Sequence, residues 1–410
     1  MNTIVFLLEN RRFLGFGLAC TLASNFGQTF FIALFGDHIR NEFGLSHGDF
    51  GALYSVATLL SAAVILWAGR QIDRVDLRLY AGLVFTGLAV SCTLMAAAFS
   101  PWVLGAGFFG LRLFGQGLLR HTAVVSMARY FDNARGRAMS VVGLGYPIAE
   151  AAFPAALVLI LSAFTWREAW GGFAVYIFIG HLPLALWLLK GHARRHAEHE
   201  RRLQAEDATA TVLTQRRLIT DWRFQMIVPA SLMGPFMMTG LFFHQLAIAD
   251  AKGWDIALLA ASFPAFAGAV VTSSLITGWL VDRQGPGGIL QVFVLPLTMA
   301  LIVVATMEQT WAAPLYMGLG GLTVGASTVL ISAAWAETFG VRHLGAIRSL
   351  TSSLVVVSTA LAPVLVGWLL DGGVTVGAIA FGGAGIAFLT NVVVLVPARE
   401  LQRKKTKMAV

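Results

Sequence analysis

Long apolar stretches separated by short polar segments form most of this chain. A helix needs about 20 apolar residues to cross the hydrocarbon core of a membrane, and twelve stretches meet that length. We number them as the first to twelfth span, at residues 13–35, 48–68, 79–99, 102–129, 138–163, 170–189, 224–248, 255–280, 288–307, 312–337, 345–370 and 376–396. Lipid cannot satisfy unpaired backbone groups, so each span is predicted to be a helix. The sequence therefore predicts an all-α membrane protein.

The composition supports this class. Hydrophobic residues make up 57% of the chain and charged residues only 12%, which lies outside the usual range of soluble domains. We expect an integral, multi-pass membrane protein. The two cysteines, Cys20 and Cys92, both fall inside spans, so we predict neither a disulfide nor cysteine chemistry.

The basic residues fall mainly on one side of the predicted topology. Of 29 Lys and Arg residues, 24 lie in the termini, alternate loops and adjoining span ends of one side, whereas Arg40, Arg167 and Lys252 lie on the other. This asymmetry predicts that both termini are cytoplasmic. The net charge of +8 then reflects topology and attraction to the lipid bilayer, and we expect no nucleic-acid partner.

An internal repeat relates the two halves of the chain. An offset of 209 residues maps Gly69, Asp73, Arg74, Trp102, Gly136, Ser140 and Pro154 onto identical residues at 278, 282, 283, 311, 345, 349 and 363. A constant offset of this kind indicates a duplicated structural unit. We expect two pseudo-symmetric six-helix bundles at 1–189 and 223–397, a central cytoplasmic linker at 190–222 and a basic cytoplasmic tail at 398–410.

The loop after the second span carries a specific motif. Gly69, Asp73, Arg74 and Arg78 form G-x-x-x-D-R-x-x-x-R, which resembles the loop signature of the major facilitator superfamily. The resemblance implies that fold, a secondary active transporter, and a gating role for these residues in a cytoplasmic charge network. Asp282 and Arg283 in the second copy would be weaker counterparts. The alternative is that these are only loop charges that follow membrane topology.

Two arginines, Arg112 and Arg120, lie inside the fourth span, away from its ends. An arginine inside a span costs about 2.5–3.5 kcal/mol on insertion scales and is a candidate functional residue. Arg112 with Gln116 and Gly117 resembles the fourth-span motif of the superfamily, whose arginine borders the central cavity, although here the Gln-Gly pair comes one residue later than usual. We predict that Arg112 and Gln116 bind substrate.

The fifth span and the loop before it resemble bacterial members around the oxalate/formate and monocarboxylate carriers. The likeness lies in Arg135-Gly136-Arg137-Ala138 and in Gly143-x-Gly145-x-Pro147. Those carriers are expected to have an acid and a base in the eighth span, where this chain has only Asp255, at the outer edge. The resemblance implies a location in a bacterial inner (plasma) membrane, but it does not justify assigning the substrate of those carriers to this chain.

Three polar residues lie near the middle of the first span. Asn25 and Thr29 share one face of a regular helix and Gln28 lies beside them. We predict that the three face a substrate cavity. The alternative is that they hydrogen-bond neighbouring helices as packing residues.

Glu150 is the only carboxylate deep inside a span. Either Arg112 or Arg120 could reach it across the fourth and fifth spans. A permanent pair would be structural, whereas a partner that changes with substrate would make Glu150 the proton-coupling residue. His181 and His244 are the next candidates for a proton site, although membrane histidines more often serve packing.

We predict a secondary active transporter that moves a small organic anion of the carboxylate type by alternating access, coupled to protons. The alternatives are proton-coupled efflux of amphiphilic compounds and, in another class, a transport-inactive receptor. We expect no enzyme activity, cofactor or metal, and a monomer. A histidine stripe at 192, 196 and 199 could hold a metal ion, but an exposed linker helix is the simpler interpretation.

Overall fold

The computed structural model describes residues 3–131, 134–191, 218–340 and 344–408. All regular structure in these ranges is helical. Eleven helices are long and apolar enough to cross a membrane, and a bent pair at Val5–Ala33 and Gly36–Phe43, with an angle of 62° between its parts, brings the number to twelve if it counts as one span. The prediction of an all-α protein with twelve spans is confirmed.

The described residues divide into two compact units, and the first comprises residues 1–43 and 53–209. The helices that lie wholly or mostly in it are Thr3–Ala23, Thr29–Ala33, Gly36–Phe43, His47–Ala68, Leu77–Ala96, Pro101–Gly110, Arg120–Tyr130, Arg135–Gly143, Gly145–Leu161, Trp166–Val175 and Leu182–Leu188. Two 3₁₀ turns, Ser24–Gly27 and Gly69–Asp73, and two π-helical segments, Leu111–Leu119 and Tyr176–His181, connect some of them.

The second unit comprises residues 44–52 and 210–410, so it includes the first residues of the helix His47–Ala68. Its other helices are Trp222–Phe243, Gln245–Lys252, Ile256–Gln284, Pro286–Leu290, Leu295–Thr306, Ala312–Phe339, Leu344–Asp371 and Val376–Met408. The last helix runs through Pro397 into the tail that we predict at 398–410. The predicted linker lies mostly at 192–217, outside the described residues, so that boundary stays a prediction.

Local signals in the sequence fix several helix ends. Ser100 accepts a hydrogen bond from the backbone of Val103, and Pro101 occupies the first helical position, where its missing N–H costs nothing. Thr165 and Glu168 form a reciprocal capping box at the start of the sixth span. These interactions satisfy backbone groups that a helix leaves unpaired at its N-terminus.

The first span is not one continuous helix. It changes to a 3₁₀ turn at Ser24–Gly27, and Gln28 has an extended backbone at φ −83° and ψ 150°. The fourth span changes to a π-helix at Leu111–Leu119, and the 3₁₀ turn packs directly against it. The two irregular segments therefore lie against each other inside the first unit.

Glycines allow this close packing. A Cβ atom on Gly27 would lie 2.1 Å from the backbone oxygen of Leu111 and 2.6 Å from the backbone nitrogen of Gln116. A Cβ atom on Gly115 would lie 2.9 Å from the backbone nitrogen of Gly27. Because the neighbours are backbone atoms, no side-chain movement could make room for a methyl group. The contact requires glycine on both segments.

We expect Gly27→Ala to lower the unfolding temperature of the purified protein by several degrees, because overpacking at a buried contact typically costs about 1–3 kcal/mol. Gly172→Ala is the matched control, since a Cβ there would meet nothing within 4 Å. Intrinsic fluorescence during heating in detergent measures both variants. Equal unfolding temperatures for the two variants would show that the first span can move away from the fourth without cost.

Candidate functional site

The break in the first span carries the three polar residues that we predict to bind substrate. Asn25, Gln28 and Thr29 are all buried, at 0%, 4% and 7% exposure. They do not share a face of a regular helix, and that part of the prediction is wrong, because the backbone turns at Gln28 between them. Burial at a broken helix, where backbone groups lack their usual partners, is nevertheless typical of transporter binding sites.

Each of these polar side chains has a distinct environment. The Asn25 amide nitrogen donates to the backbone oxygen of Thr21 at 2.9 Å, which leaves its Oδ1 atom without a hydrogen-bond partner in the structure. The Nε2 atom of Gln28 also has none. The Thr29 hydroxyl lies 2.7 Å from the hydroxyl of Tyr54 in the second span. The break therefore holds one hydrogen-bond acceptor, Oδ1 of Asn25, and one donor, Nε2 of Gln28, that have no partner among the described residues.

Arg112 reaches this break from the fourth span. Its side chain is buried, with 3% of its surface exposed, and its Nη1 atom donates to the backbone oxygen of Gly27 at 3.2 Å. In a regular helix that oxygen would accept from the N–H of Phe31, but Phe31 instead donates to Gln28. The break thus frees a carbonyl group, and Arg112 binds it.

The remaining contacts of Arg112 are also with uncharged groups. Its guanidinium carbon lies 5.2 Å from the centre of the Tyr54 ring, a cation–π distance, and its Nε atom has no hydrogen-bond partner in the structure. Arg112 makes no ion pair with any residue in the described ranges. Tyr54 was not predicted as a site residue, and no spacing pattern in the second span distinguishes it.

Gln116 lies in the π-helical segment with Arg112 and is partly exposed. A π-helix hydrogen-bonds residue i to residue i+5, so each turn holds about one residue more than an α-helix turn. A π-helix can therefore accommodate a Gln-Gly pair that comes one residue later than in the motif that this span resembles. Arg112 and Gln116, four residues apart, lie on similar faces of the π-helical segment.

Glu150 lies in the fifth span and is buried, with 4% of its surface exposed. It makes no ion pair with any residue that the structure describes. Arg120 approaches it from the fourth span, with its guanidinium carbon 5.6 Å from the centre of the Tyr146 ring. Tyr146 precedes Glu150 by one helical turn. Of the two arginines we considered, the geometry therefore favours Arg120 as the neighbour of Glu150.

The motif loop forms a charge contact that the sequence did not predict. Asp73 pairs with Arg129 at the end of the fourth span, and the Nη1 atom of Arg129 also donates to the backbone oxygen of Ile72 at 3.1 Å. Arg74 and Arg78 are exposed and make no side-chain ion pair within the described ranges. The partner of Asp73 is therefore a residue of the same unit outside the motif.

Gly69 contacts a histidine of the fourth span, and the second copy of the motif has a different backbone. The Nε2 atom of His121 lies 3.1 Å from the backbone oxygen of Gly69, and a Cβ on Gly69 would touch the same ring at 3.4 Å. In the second unit, Asp282 and Arg283 lie at the exposed end of a continuous α-helix, Ile256–Gln284, with Arg283 over the ring of Trp279 at 4.2 Å. The first copy instead ends in a 3₁₀ turn. The two copies therefore differ in backbone.

The two candidate histidines pack against neighbours. His181 lies between the rings of Phe85 and Tyr176, with centroids 6.3 Å and 4.9 Å away. In the second unit the Nε2 atom of His244 lies 2.8 Å from the backbone oxygen of Pro363. These contacts agree with a packing role for both. The histidine stripe at 192, 196 and 199 lies outside the described residues.

A second contact in the second unit involves Asp371. Its carboxylate accepts hydrogen bonds from the backbone nitrogens of His47 and Gly48, at 3.0 Å and 2.7 Å. A Cβ on Gly367 would lie 2.5 Å from the backbone oxygen of His47, so the two helices touch at backbone distance here. The carboxylate satisfies the unpaired N–H groups at the start of the helix His47–Ala68.

Comparison with known proteins gives the following findings. Residues 17–320 match the sequence profile of the Major Facilitator Superfamily. The chain is 25% identical over 364 residues to the gentisate transporter of Corynebacterium glutamicum, covering 85% of this chain and 79% of that protein. Two solved structures of a bacterial homolog of the human lysosomal transporter Spinster, inward-facing and either unoccupied or occupied, have a TM-score of 0.60.

Those two structures share 15% and 16% sequence identity with this chain. The matches cover 96% and 97% of this chain and 93% and 97% of the solved chains. At this identity the likeness concerns the fold.

Proposed function

The chain belongs to the major facilitator superfamily and is a transporter, not an enzyme, and on that premise we propose that it carries a small organic anion of the carboxylate type, coupled to protons. The observation that carries the proposal is the environment of Arg112, a buried guanidinium whose neighbours in the first unit are uncharged. We further propose that both termini are cytoplasmic and that the protein is a monomer.

A buried cation without a counter-ion favours an anionic ligand. The carbonyl of Gly27 and the ring of Tyr54 compensate part of the lost hydration of Arg112, but they leave its full positive charge. A carboxylate can neutralise that charge, and its two oxygens match the planar fork of a guanidinium. The unused Nε2 atom of Gln28 is a further donor for such a ligand. Asn25, Thr29 and Gln116 complete the proposed binding site.

The gentisate transporter that resembles this chain indicates an aromatic carboxylate as the first substrate to test. The unused acceptor of the site, Oδ1 of Asn25, suits a ligand that also carries a hydroxyl group. We therefore test gentisate before aliphatic acids.

Glu150 is the proposed proton-coupling residue. An ionised carboxylate that is buried without a close cation is costly, so proton uptake lowers the free energy of that state. Arg120 lies over the ring of Tyr146, one helical turn before Glu150, and makes no ion pair with Glu150 in the described residues. A modest movement of the fourth span against the fifth therefore changes the balance between the two charge states of Glu150. This gives a physical link between conformation and protonation.

Amphiphile efflux is the second candidate function. A cavity of about 430 Å³ in the first unit is lined by aromatic residues that include Phe26, Phe31, Phe153 and Phe173. It could accept the apolar part of an amphiphile. The carboxylate in its lining is that of Glu168, whereas Glu150, the proposed counter-charge for a cation, is not part of that lining. A transport-inactive receptor would bind a ligand without moving it.

Uptake into proteoliposomes distinguishes these functions. We expect gentisate to accumulate under an imposed inward proton gradient and amphiphilic cations not to. Accumulation of the cations in exchange for protons would support efflux, and binding of gentisate without any flux would support a receptor.

We expect Arg112→Lys to weaken gentisate binding about 10- to 100-fold, because hydrogen bonds to charged groups are worth roughly 1.5–3 kcal/mol and lysine lacks the planar fork. Arg120→Lys is the matched control and should change binding less than threefold by the same measure. Calorimetry on purified variants of equal abundance gives both values. Wild-type affinity in Arg112→Lys would contradict the proposal.

The double variant Arg112→Gln with Glu150→Gln tests whether Arg112 binds the substrate or only stabilises Glu150. If Arg112 only stabilises Glu150, removal of both charges should restore gentisate binding. If Arg112 binds the substrate carboxylate, the double variant should bind as weakly as Arg112→Gln alone.

Glu150→Gln should retain gentisate exchange but lose accumulation driven by a proton gradient, because the amide cannot release a proton. For one proton per substrate and one pH unit, the wild type can reach about tenfold accumulation and the variant about onefold. Glu168→Gln is the control, since Gln preserves the capping box at that exposed position. Accumulation by Glu150→Gln at the wild-type level would place the proton site elsewhere.

The gating residues we propose are Gly69, Asp73, Arg74 and Arg78, with Asp282 and Arg283 as counterparts, and the structure adds Arg129 as the partner of Asp73. A charge contact that exists in only one conformational state biases the transport cycle by its own free energy. Because Asp73 is largely exposed, we expect that bias to be small.

We expect Asp73→Asn to slow transport by roughly two- to fivefold at unchanged abundance, since an exposed ion pair is worth about 0.2–1 kcal/mol. The charge reversal Asp73→Arg with Arg129→Asp should recover most of the rate, whereas each single reversal should not. The initial rate of gentisate uptake measures this. A wild-type rate in every single variant would remove the pair from the gating network.

A further inference from the structure

The start of the first span and the end of the sixth span enclose a basic groove in the first unit. Its volume is about 460 Å³. The groove is lined by Leu8, Glu9, Arg11, Arg12, Leu188 and Lys190, among others. Three cations and one carboxylate therefore face a space between two membrane-spanning helices, at the end of the spans that carries the N-terminus.

One of these cations, Arg12, is bound to the sixth span and forms one side of the groove. The Nη2 atom of Arg12 donates to the backbone oxygen of Trp187 at 2.6 Å, and its guanidinium carbon lies 4.9 Å from the centre of the Trp187 ring. The sixth-span helix ends one residue later, at Leu188, where unpaired carbonyl groups attract a cation. Arg12 thus joins the two spans and fixes the width of the groove.

The other two cations remain available. Arg11 and Lys190 are exposed, and neither makes a side-chain hydrogen bond or ion pair with a residue in the described ranges. Glu9 contributes the opposing charge, so the groove keeps an excess of two positive charges. An anion that enters it finds one guanidinium and one ammonium group whose donors are unused.

The surroundings of the groove match a membrane interface. Trp187 is half exposed, and tryptophan is enriched at the level of lipid headgroups. Leu8, Phe13 and Leu188 provide apolar surface beside the cations. Basic pockets between membrane helices bind the headgroups of anionic lipids. We infer that this groove binds the phosphate headgroup of an anionic phospholipid, with Arg11 and Lys190 on the phosphate.

Phosphate alone offers the same charge but not the acyl chains. A lipid headgroup brings its glycerol and upper chain against Leu8 and Leu188, whereas inorganic phosphate would leave that apolar surface unused. A phospholipid should therefore bind more tightly than free phosphate at the same concentration.

Native mass spectrometry of the purified protein with added lipid tests the inference. We expect dioleoyl-phosphatidylglycerol to bind in preference to dioleoyl-phosphatidylcholine. Arg11→Gln with Lys190→Gln should weaken binding of the anionic lipid about 30-fold, as the loss of two interfacial cations implies. The conservative exchange Arg11→Lys with Lys190→Arg should retain it, which distinguishes loss of charge from loss of fold.

The matched control is Arg399→Gln with Arg403→Gln, which removes the same charge from two exposed positions of the last helix. We expect this control to bind phosphatidylglycerol like the wild type. An equal loss of phosphatidylglycerol binding in the control would show that the effect comes from net charge and not from the groove, and it would overturn the proposed site. The same conclusion follows if phosphatidylcholine binds equally well, or if inorganic phosphate protects the protein from heat as effectively as phosphatidylglycerol.

Discussion

The close backbone contact between the first and fourth spans is the constraint on which the candidate site depends. Gly27 and Gly115 bring the two irregular segments together at distances that exclude a methyl group. Only at this distance can Arg112 donate to the carbonyl of Gly27 and lie over the ring of Tyr54. Arg112 therefore takes this position because Gly27 and Gly115 have no side chains.

The sequence predicted the helical architecture and the candidate residues, but not the backbone on which they sit. Apolar length, basic-residue bias and the constant offset depend on composition and spacing, which a single sequence displays directly. The break at Gln28 packs against the π-helical segment of the fourth span, which lies far away in the chain. The pattern of either segment alone does not predict this contact. The displaced Gln-Gly pair was the one local sign of the π-helix. Arg129 was missed because its partner lies 56 residues away in the chain.

The two copies of the repeat differ in backbone and in chemistry. The first copy of the loop motif ends in a 3₁₀ turn and pairs Asp73 with Arg129, whereas the second copy lies on a continuous α-helix. The buried charges Arg112 and Glu150 have no charged equivalents at the offset of 209, where Gly321 and Thr359 stand. Gly321 instead packs at 2.5 Å, measured from its ideal Cβ, against the backbone oxygen of Phe266. At the position of Arg112, one unit thus holds a buried charge and the other a close contact between helix backbones.

The π-helix of the fourth span shows how a membrane helix can accept an inserted residue. A loop absorbs an insertion by bulging into water, but a span cannot expose an unpaired backbone to lipid. One additional residue in a regular helix would rotate everything after it by about 100°. That rotation would carry Arg120 away from Tyr146, His121 away from Gly69 and Arg129 away from Asp73. By confining the altered hydrogen bonding to the π-helical segment Leu111–Leu119, the span can change the spacing of its binding residues while the rest of the helix keeps these contacts.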